Sequence, residues 1–202
     1  ASSAFTQLQI NDIDVPGGNI WNGEYTTSIA GKTVNLDNIE HGLIRGQEDK
    51  QAKGTKELAV KNLDPRIHAA VNCAAFSCPK VLPKAYTAEN IDSTLDDNMK
   101  AWINNPEQFQ KVDEDTFRMN RIVQWYYSDF DDFGKKVLKK QGAGDYLAQF
   151  VDPKNPNAQW IKSFLEEHFN DRGFFSLRTS SDFDFHYNWV VNDVRNKPSP
   201  KG

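Results

Sequence analysis

The chain has 202 residues, 38% of them hydrophobic and 26% charged. That is long enough to bury a core and too apolar for a disordered segment, and the length fits a single domain. With 24 basic against 28 acidic residues and a net charge of −4, nothing drives the chain toward nucleic acid or an anionic surface, and neither is expected as a partner. No apolar run approaches the ~20 residues of a membrane-spanning helix, so no membrane span is expected.

The first residue is Ala1 rather than Met, and Ala1-Ser2-Ser3 resembles the downstream side of a processing site. The expected location is therefore periplasmic or secreted. Residues 1–34 read as extended segments and turns around Pro16-Gly17-Gly18 and Gly31, with a hairpin over Ile29 to Val34. Asn35 then caps a helix over 36–45 that carries Leu36, Ile39, Leu43 and Ile44. Residues 46–61 are charged and lack a period, which predicts an exposed loop or a short surface helix.

Asp64-Pro65 opens a segment of small residues, Arg66 to Pro79. Asp followed by Pro favours a helix start, whereas the alternation of Ile67, Ala69, Val71 and Cys73 favours a buried strand, and the strand is preferred. Thr87 caps a helix with Ile91, Leu95, Met99 and Trp102 on one stripe, ended by Asn104-Asn105-Pro106. A hairpin follows over Val112 to Met119, then a short helix from Arg121 to Tyr127 burying Ile122 and Trp125. Further helices carry Phe133, Val137 and Leu138, then Tyr146 to Val151, then Trp160 to Phe169. Strands return at Phe174 to Arg178 and at the alternating Phe183, Phe185 and Tyr187. The order predicts an α+β fold, one domain over residues 1–195 with a small mixed sheet packed by amphipathic helices, and a flexible tail at 196–202.

The chain lacks a Walker-type phosphate loop, a dinucleotide-binding glycine pattern, an HExxH helix and a GxSxG elbow. Asp129 to Gly134 starts like a calcium loop, but Phe133 and Lys140 stand where oxygen ligands belong. No cofactor and no metal site are expected; a zinc site from Glu40, His41, His68 and a cysteine would need separate elements to converge.

The chemistry-bearing residues are Glu40-His41, then His68 with Asn72, Cys73 and Cys78, then His186 to Trp189 with Asn192. In one reading Cys73 is the nucleophile of a hydrolase or acyl transferase, with His68 the preferred base and Asn72 an oxyanion donor. His41 or His186 are the alternative bases, with Glu40, Asn188 or Asn192 as orienting groups. A base at His68 demands a bend, because a separation of five puts the side chains on opposite faces of a strand. If free, Cys73 is expected to be less exposed than Cys78, given its core-like neighbours Val71, Ala74 and Ala75. In the rival reading Cys73 and Cys78 form a disulfide in a non-catalytic ligand-binding module. Arg45, Arg66, Trp125, Tyr187, Trp189 and Asn192 are the candidate binding residues for a small molecule or peptide.

The run Asn35 to Arg45, then Asp64-Pro65-Arg66-Ile67-His68 leading to Asn72-Cys73 and Ser77-Cys78-Pro79, resembles the family catalogued as domain of unknown function 547. Tyr86-Thr87-Ala88-Glu89, Trp125-Tyr126 with Asp129-Phe130, and Tyr187-Asn188-Trp189 with Asn192 resemble its downstream motifs in the same order. The resemblance covers roughly residues 4–192 and implies a domain identity without an assigned chemistry. Asn188 stands where the family commonly has Asp. The family pattern also begins upstream of Ala4, so Phe5, Leu8 and Ile10 are expected to need a cover: an N-terminal fragment, a second copy, or a compact local fold of the chain itself.

Overall fold

The computed structural model describes residues 14–15, 18–170 and 180–192. The strand expected at Phe174 to Arg178, the apolar start at Phe5, Leu8 and Ile10, and the tail lie outside the described residues. The fold is α+β, with helices and small sheets. The chain gathers into two compact units, one formed by 64–72 with 77–188, the other by 1–63, 73–76 and 189–202.

In the unit of 1–63, two short hairpins come first: β1 (Asp14–Val15) with β2 (Gly18–Asn19), and β3 (Thr27–Ile29) with β4 (Lys32–Val34). The second turns on Ala30 and Gly31, both at positive φ (49° and 73°), which matches the right-handed twist of the flanking strands. The expected helix follows, but as a wider π-helical turn over Asn38–Ile44. Asn35 and Asn38 cap it reciprocally, each side-chain oxygen accepting the other's backbone N–H at 2.8 and 3.1 Å. Residues 46–61 form two single 3-10 turns, Glu48–Lys50 and Lys56–Leu58.

The larger core lies in the other unit. The helix α1 (Ile91–Ile103) starts one turn after Thr87, whose carbonyl accepts from Asn90 and Ile91. Leu95, Met99 and Trp102 are buried as the stripe predicts, but Ile91 at its first turn is exposed. Strands β5 (Phe109–Lys111) and β6 (Phe117–Asn120) form the expected hairpin, and β7 (Phe183–His186) adds in parallel to β6, so the three-stranded sheet is mixed. Period 2 decides its faces: Phe117 and Met119 are fully buried, while Arg118 between them pairs with Asp184 at 2.7 Å.

After the sheet, α2 (Ile122–Trp125) and α3 (Tyr127–Asp132) run into a π-turn, Phe133–Val137. Ile122 is buried as expected but Trp125, also expected inside, is exposed, as are Val137 and Leu138. With helical segments this short, the core takes up Val123, Tyr127 and Phe130 instead. Helices α4 (Ala143–Ala148) and α5 (Ala158–His168) close the core with Tyr146, Leu147, Phe164 and Leu165. Each such side chain stabilises by ~1.5–3 kcal/mol when fully buried.

The α4–α5 approach depends on Gly144, where a Cβ would lie 2.0 Å from the Leu165 carbonyl oxygen. Backbone cannot yield as a side-chain tip does, so Gly144→Ala is expected to destabilise by ~1–3 kcal/mol, measured as a lower urea midpoint at unchanged m-value.

Candidate functional site

The segment preferred as a strand is a 3-10 turn, Pro65–Ala69. The Asp64 carboxylate accepts the Arg66 backbone N–H at 3.0 Å and Pro65 fixes φ at the first helical position, so the cap outweighs the apolar alternation. Arg66 extends the same cap. Its guanidinium reaches Asp64 at 2.6 Å, Asp92 at 2.7 Å and Asp96 at 3.9 Å, tying the turn to the start of α1. The hydrogen bond to Asp64, the largest cause, raises the guanidinium above its ordinary pKa despite partial burial. A residue expected to bind ligand thus works as a clamp between two elements.

The turn carries His68 inward, where it is only 4% exposed. Its Nε2 lies 2.9 Å from Asp129 Oδ2. The ring stacks on Tyr126 with centroids 4.0 Å apart and planes within 9°, and Phe130 lies against it at 5.4 Å and 58°. Tyr126, Asp129 and Phe130 are spaced i, i+3, i+4, the spacing that puts three residues on one helical face. An ionised carboxylate beside Nε2 favours the tautomer protonated there, and a carboxylate that orients an imidazole is one half of a general-base arrangement.

Neither cysteine is in a disulfide, so the Cys73–Cys78 bridge of the rival ligand-binding reading is absent. Their order of exposure is also the reverse of expectation: Cys78 is buried and Cys73 half-buried. Local pairing is the cause. Ser77 N–H donates to the Asn188 carbonyl, Asn188 N–H donates to Ser77 Oγ at 2.8 Å, and Cys78 Sγ lies 3.3 Å from the Tyr187 hydroxyl. Cys78 is therefore covered by Tyr187, a residue expected to face ligand. Asn72, the expected oxyanion donor, donates from Nδ2 to the Pro79 carbonyl at 2.6 Å and so closes the loop 72–79.

Cys73 is followed by Ala74 at φ 64°, in the left-handed region that a residue with a Cβ rarely adopts. The strain persists because the next residues are pinned. Asn192 N–H donates to the Ala74 carbonyl at 2.6 Å, Ala75 bridges to Val191, and Phe76 N–H donates to the Val190 carbonyl. Asn192, expected as a binding or orienting group, thus acts through its backbone, while Trp189 beside this bridge is half-buried. His186 and Asn188 are exposed.

On the π-helical turn, Arg45 NH1 donates to His41 Nδ1 at 3.0 Å, and His41 Nε2 lies 3.6 Å from Asp37 Oδ1. His41 is held between its helix neighbours with a guanidinium on the nitrogen a base would use. Glu40 beside it is half-buried.

Three residues of this region were not among the expected site residues. Asp129 and Tyr126 carry the Tyr-x-x-Asp-Phe spacing that would mark a grip on an imidazole. Asn120 is 1% exposed with its amide satisfied: it donates to the Ser77 carbonyl and Gln108 Oε1 and accepts from Ile122 N–H. No sequence signal separates Asn120 from an ordinary strand-end asparagine.

Residues 11–103 match the family model described as "Protein of unknown function, DUF547". The matched stretch is less than half of the chain. It contains Glu40, His41, Arg45, Arg66, His68, Asn72, Cys73 and Cys78, whereas Tyr126, Asp129, Tyr187 and Asn192 lie beyond it. No curated protein and no solved structure matches the chain. Among the described residues, no group of three or more His, Cys, Asp or Glu is arranged to hold a metal ion, and no helix is long and apolar enough to cross a membrane.

Ala74 gives a direct check on the strained backbone beside Cys73. Ala74→Gly removes the Cβ clash and is expected to stabilise the protein by ~0.5–1 kcal/mol, seen as a higher denaturation midpoint.

Proposed function

We propose that this chain is a cysteine-dependent hydrolase or acyl transferase in which Cys73 is the nucleophile and His68, oriented by Asp129, is the base. The observation that carries the reading is the buried His68–Asp129 pair, with Nε2 and Oδ2 2.9 Å apart. Further support comes from Cys73 being a half-buried thiol outside any disulfide, next to the strained Ala74. Backbone strain of this kind persists where surrounding structure over-determines it, often at functional positions. His68 precedes Cys73 by five residues in the chain, and a 3-10 turn at Pro65–Ala69 stands where a strand was expected.

The chemistry follows from the tautomer. The Cys73 thiol gives its proton to His68 Nδ1, while Asp129 accepts from Nε2–H and favours the imidazolium that forms. The thiolate sulfur attacks the substrate's carbonyl carbon, and the C–O π electrons move onto oxygen. Collapse of the tetrahedral intermediate expels the leaving group, which takes the proton from Nδ1, and an acyl-thioester on Cys73 remains. Water, or an acceptor alcohol or amine, then attacks with the imidazole again as base, releasing the acyl product and restoring the thiol. The oxyanion needs N–H donors, and one of the two N–H groups of the Asn72 amide is already engaged by the Pro79 carbonyl.

Two readouts test this. In a Cys78→Ser background, iodoacetamide should label Cys73 at pH 7 at least ~10-fold faster than the same thiol in denatured chain. His68→Gln should remove that excess and return the pH profile to that of an ordinary thiol, near ~8.5. With p-nitrophenyl acetate, a burst of nitrophenol should accompany one acetyl group on Cys73 by mass spectrometry. Equal labelling of wild type and His68→Gln, with no acetyl on Cys73, would sink the reading.

A further inference from the structure

We propose that Tyr126 is the positioning residue of the His68 base. Its ring, stacked flat on the imidazole, fixes the plane in which Nδ1 presents its lone pair and favours the imidazolium formed when a proton arrives. This rests on the reading of His68 as the base.

The Cβ–Cγ bond at one end of the imidazole and the Nε2–Asp129 hydrogen bond at the other define an axis, and rotation of the ring about that axis is resisted only weakly by them. A face contact removes the rotation. Tyr126 supplies it with a centroid separation of 4.0 Å and planes 9° from parallel, and Phe130 meets the ring at 58°. The local backbone is built for this. Tyr126 lies between α2 and α3 at φ −108° and ψ 23°, outside helical geometry, yet the hydrogen bonds continue through it. Its N–H donates to the Ile122 carbonyl, and its own carbonyl accepts from Asp129 and Phe130. The break re-aims the chain so that Tyr126, Asp129 and Phe130 meet the same imidazole.

Aromatic faces attract cations, so the stack also favours the protonated ring. The charged group that faces His68 from α3 is Asp129, while on the turn that carries His68 the guanidinium of Arg66 is engaged by Asp64 and Asp92. Simple core filling makes a different demand: any apolar side chain of similar volume would serve. Positioning by a ring face requires an aromatic side chain, and the hydroxyl is dispensable.

The test is an imidazole ¹⁵N and ¹H NMR titration of the full chain as wild type, Tyr126→Phe and Tyr126→Leu, with the pH profile of Cys73 alkylation measured on the same three proteins. Tyr126→Phe should match wild type in both. Tyr126→Leu should lower the His68 midpoint by about half a pH unit, a roughly threefold change in its proton affinity. It should also slow Cys73 alkylation at pH 7 by at least ~3-fold. In wild type and Tyr126→Phe, the His68 ring protons should be displaced upfield by the stacked ring, a signature that holds even if the Leu variant does not fold.

An unchanged midpoint in a folded Tyr126→Leu protein overturns the proposal. So do ordinary His68 ring shifts in wild type, or a loss in Tyr126→Phe equal to that in Tyr126→Leu. A shifted midpoint with unchanged alkylation supports placement of the ring by Tyr126 and removes instead the reading of His68 as the base for Cys73.

Discussion

A buried imidazole has to be given a partner, and this constraint organises the core around His68. Placing it among Tyr126 and Phe130 removes it from water, which for an unpaired polar group costs several kcal/mol. Asp129 at 2.9 Å offsets that cost and sets the tautomer at the same time. Tyr146 in the same core shows the contrasting solution. Its hydroxyl is buried with no hydrogen-bond partner, against Phe130, Phe133 and Phe150, and burial pushes its pKa well above the usual tyrosine range. The phenol tolerates this by staying neutral. An imidazole poised near neutral pH gains much more from a fixed carboxylate, and the sequence supplies one three residues after the ring that stacks on it.

The parts that hold His68 are short and locally determined. Asp64 and Pro65 start a single 3-10 turn, and Arg66 fastens that turn to α1 through Asp64, Asp92 and Asp96. A five-residue turn has little intrinsic stability, since helix nucleation is unfavourable and few bonds repay it. Its persistence comes from the cap, the guanidinium clamp and the burial of Pro65, His68 and Ala69. Asn120 does comparable work at the end of β6, where a satisfied amide joins the Ser77 carbonyl to Gln108 and the start of α2. Buried polar groups with every hydrogen bond made fix one arrangement of the chain more sharply than apolar packing alone.

The two cysteines differ in environment for reasons that their spacing hides. Cys78 follows Ser77 under the Tyr187–Asn188 segment and lies against a phenol hydroxyl. Cys73 instead precedes Ala74, whose left-handed backbone is held by a hydrogen bond from Asn192 and, two residues on, by that of Phe76 to Val190. A thiol covered by protein is protected from reagents, whereas a half-buried thiol beside rigid, strained backbone can be approached in one direction.

Much of this was legible in the residues themselves. Period-2 alternation marked Phe117 to Met119 and Phe183 to Phe185, 3.6-residue periodicity marked α1 and α5, and Asn35 marked the start of the π-helical turn, because each signal lies within a few residues of chain. The same locality made His68, Asn72, Cys73 and Cys78 stand out, and made Asp64-Pro65 a helix start that the apolar alternation beside it obscured. What the sequence could not decide was which distant side chain each polar group would meet. Asp129 is 61 positions from His68 and Tyr187 is 109 from Cys78, separations over which no periodicity carries information. The absent disulfide, the reversed burial of the cysteines, the engagement of Arg66 and His41 by neighbouring carboxylates and guanidinium, and the exposure of Trp125 were likewise fixed by packing. Short elements can turn either face inward, and only the assembled core decides which face is buried.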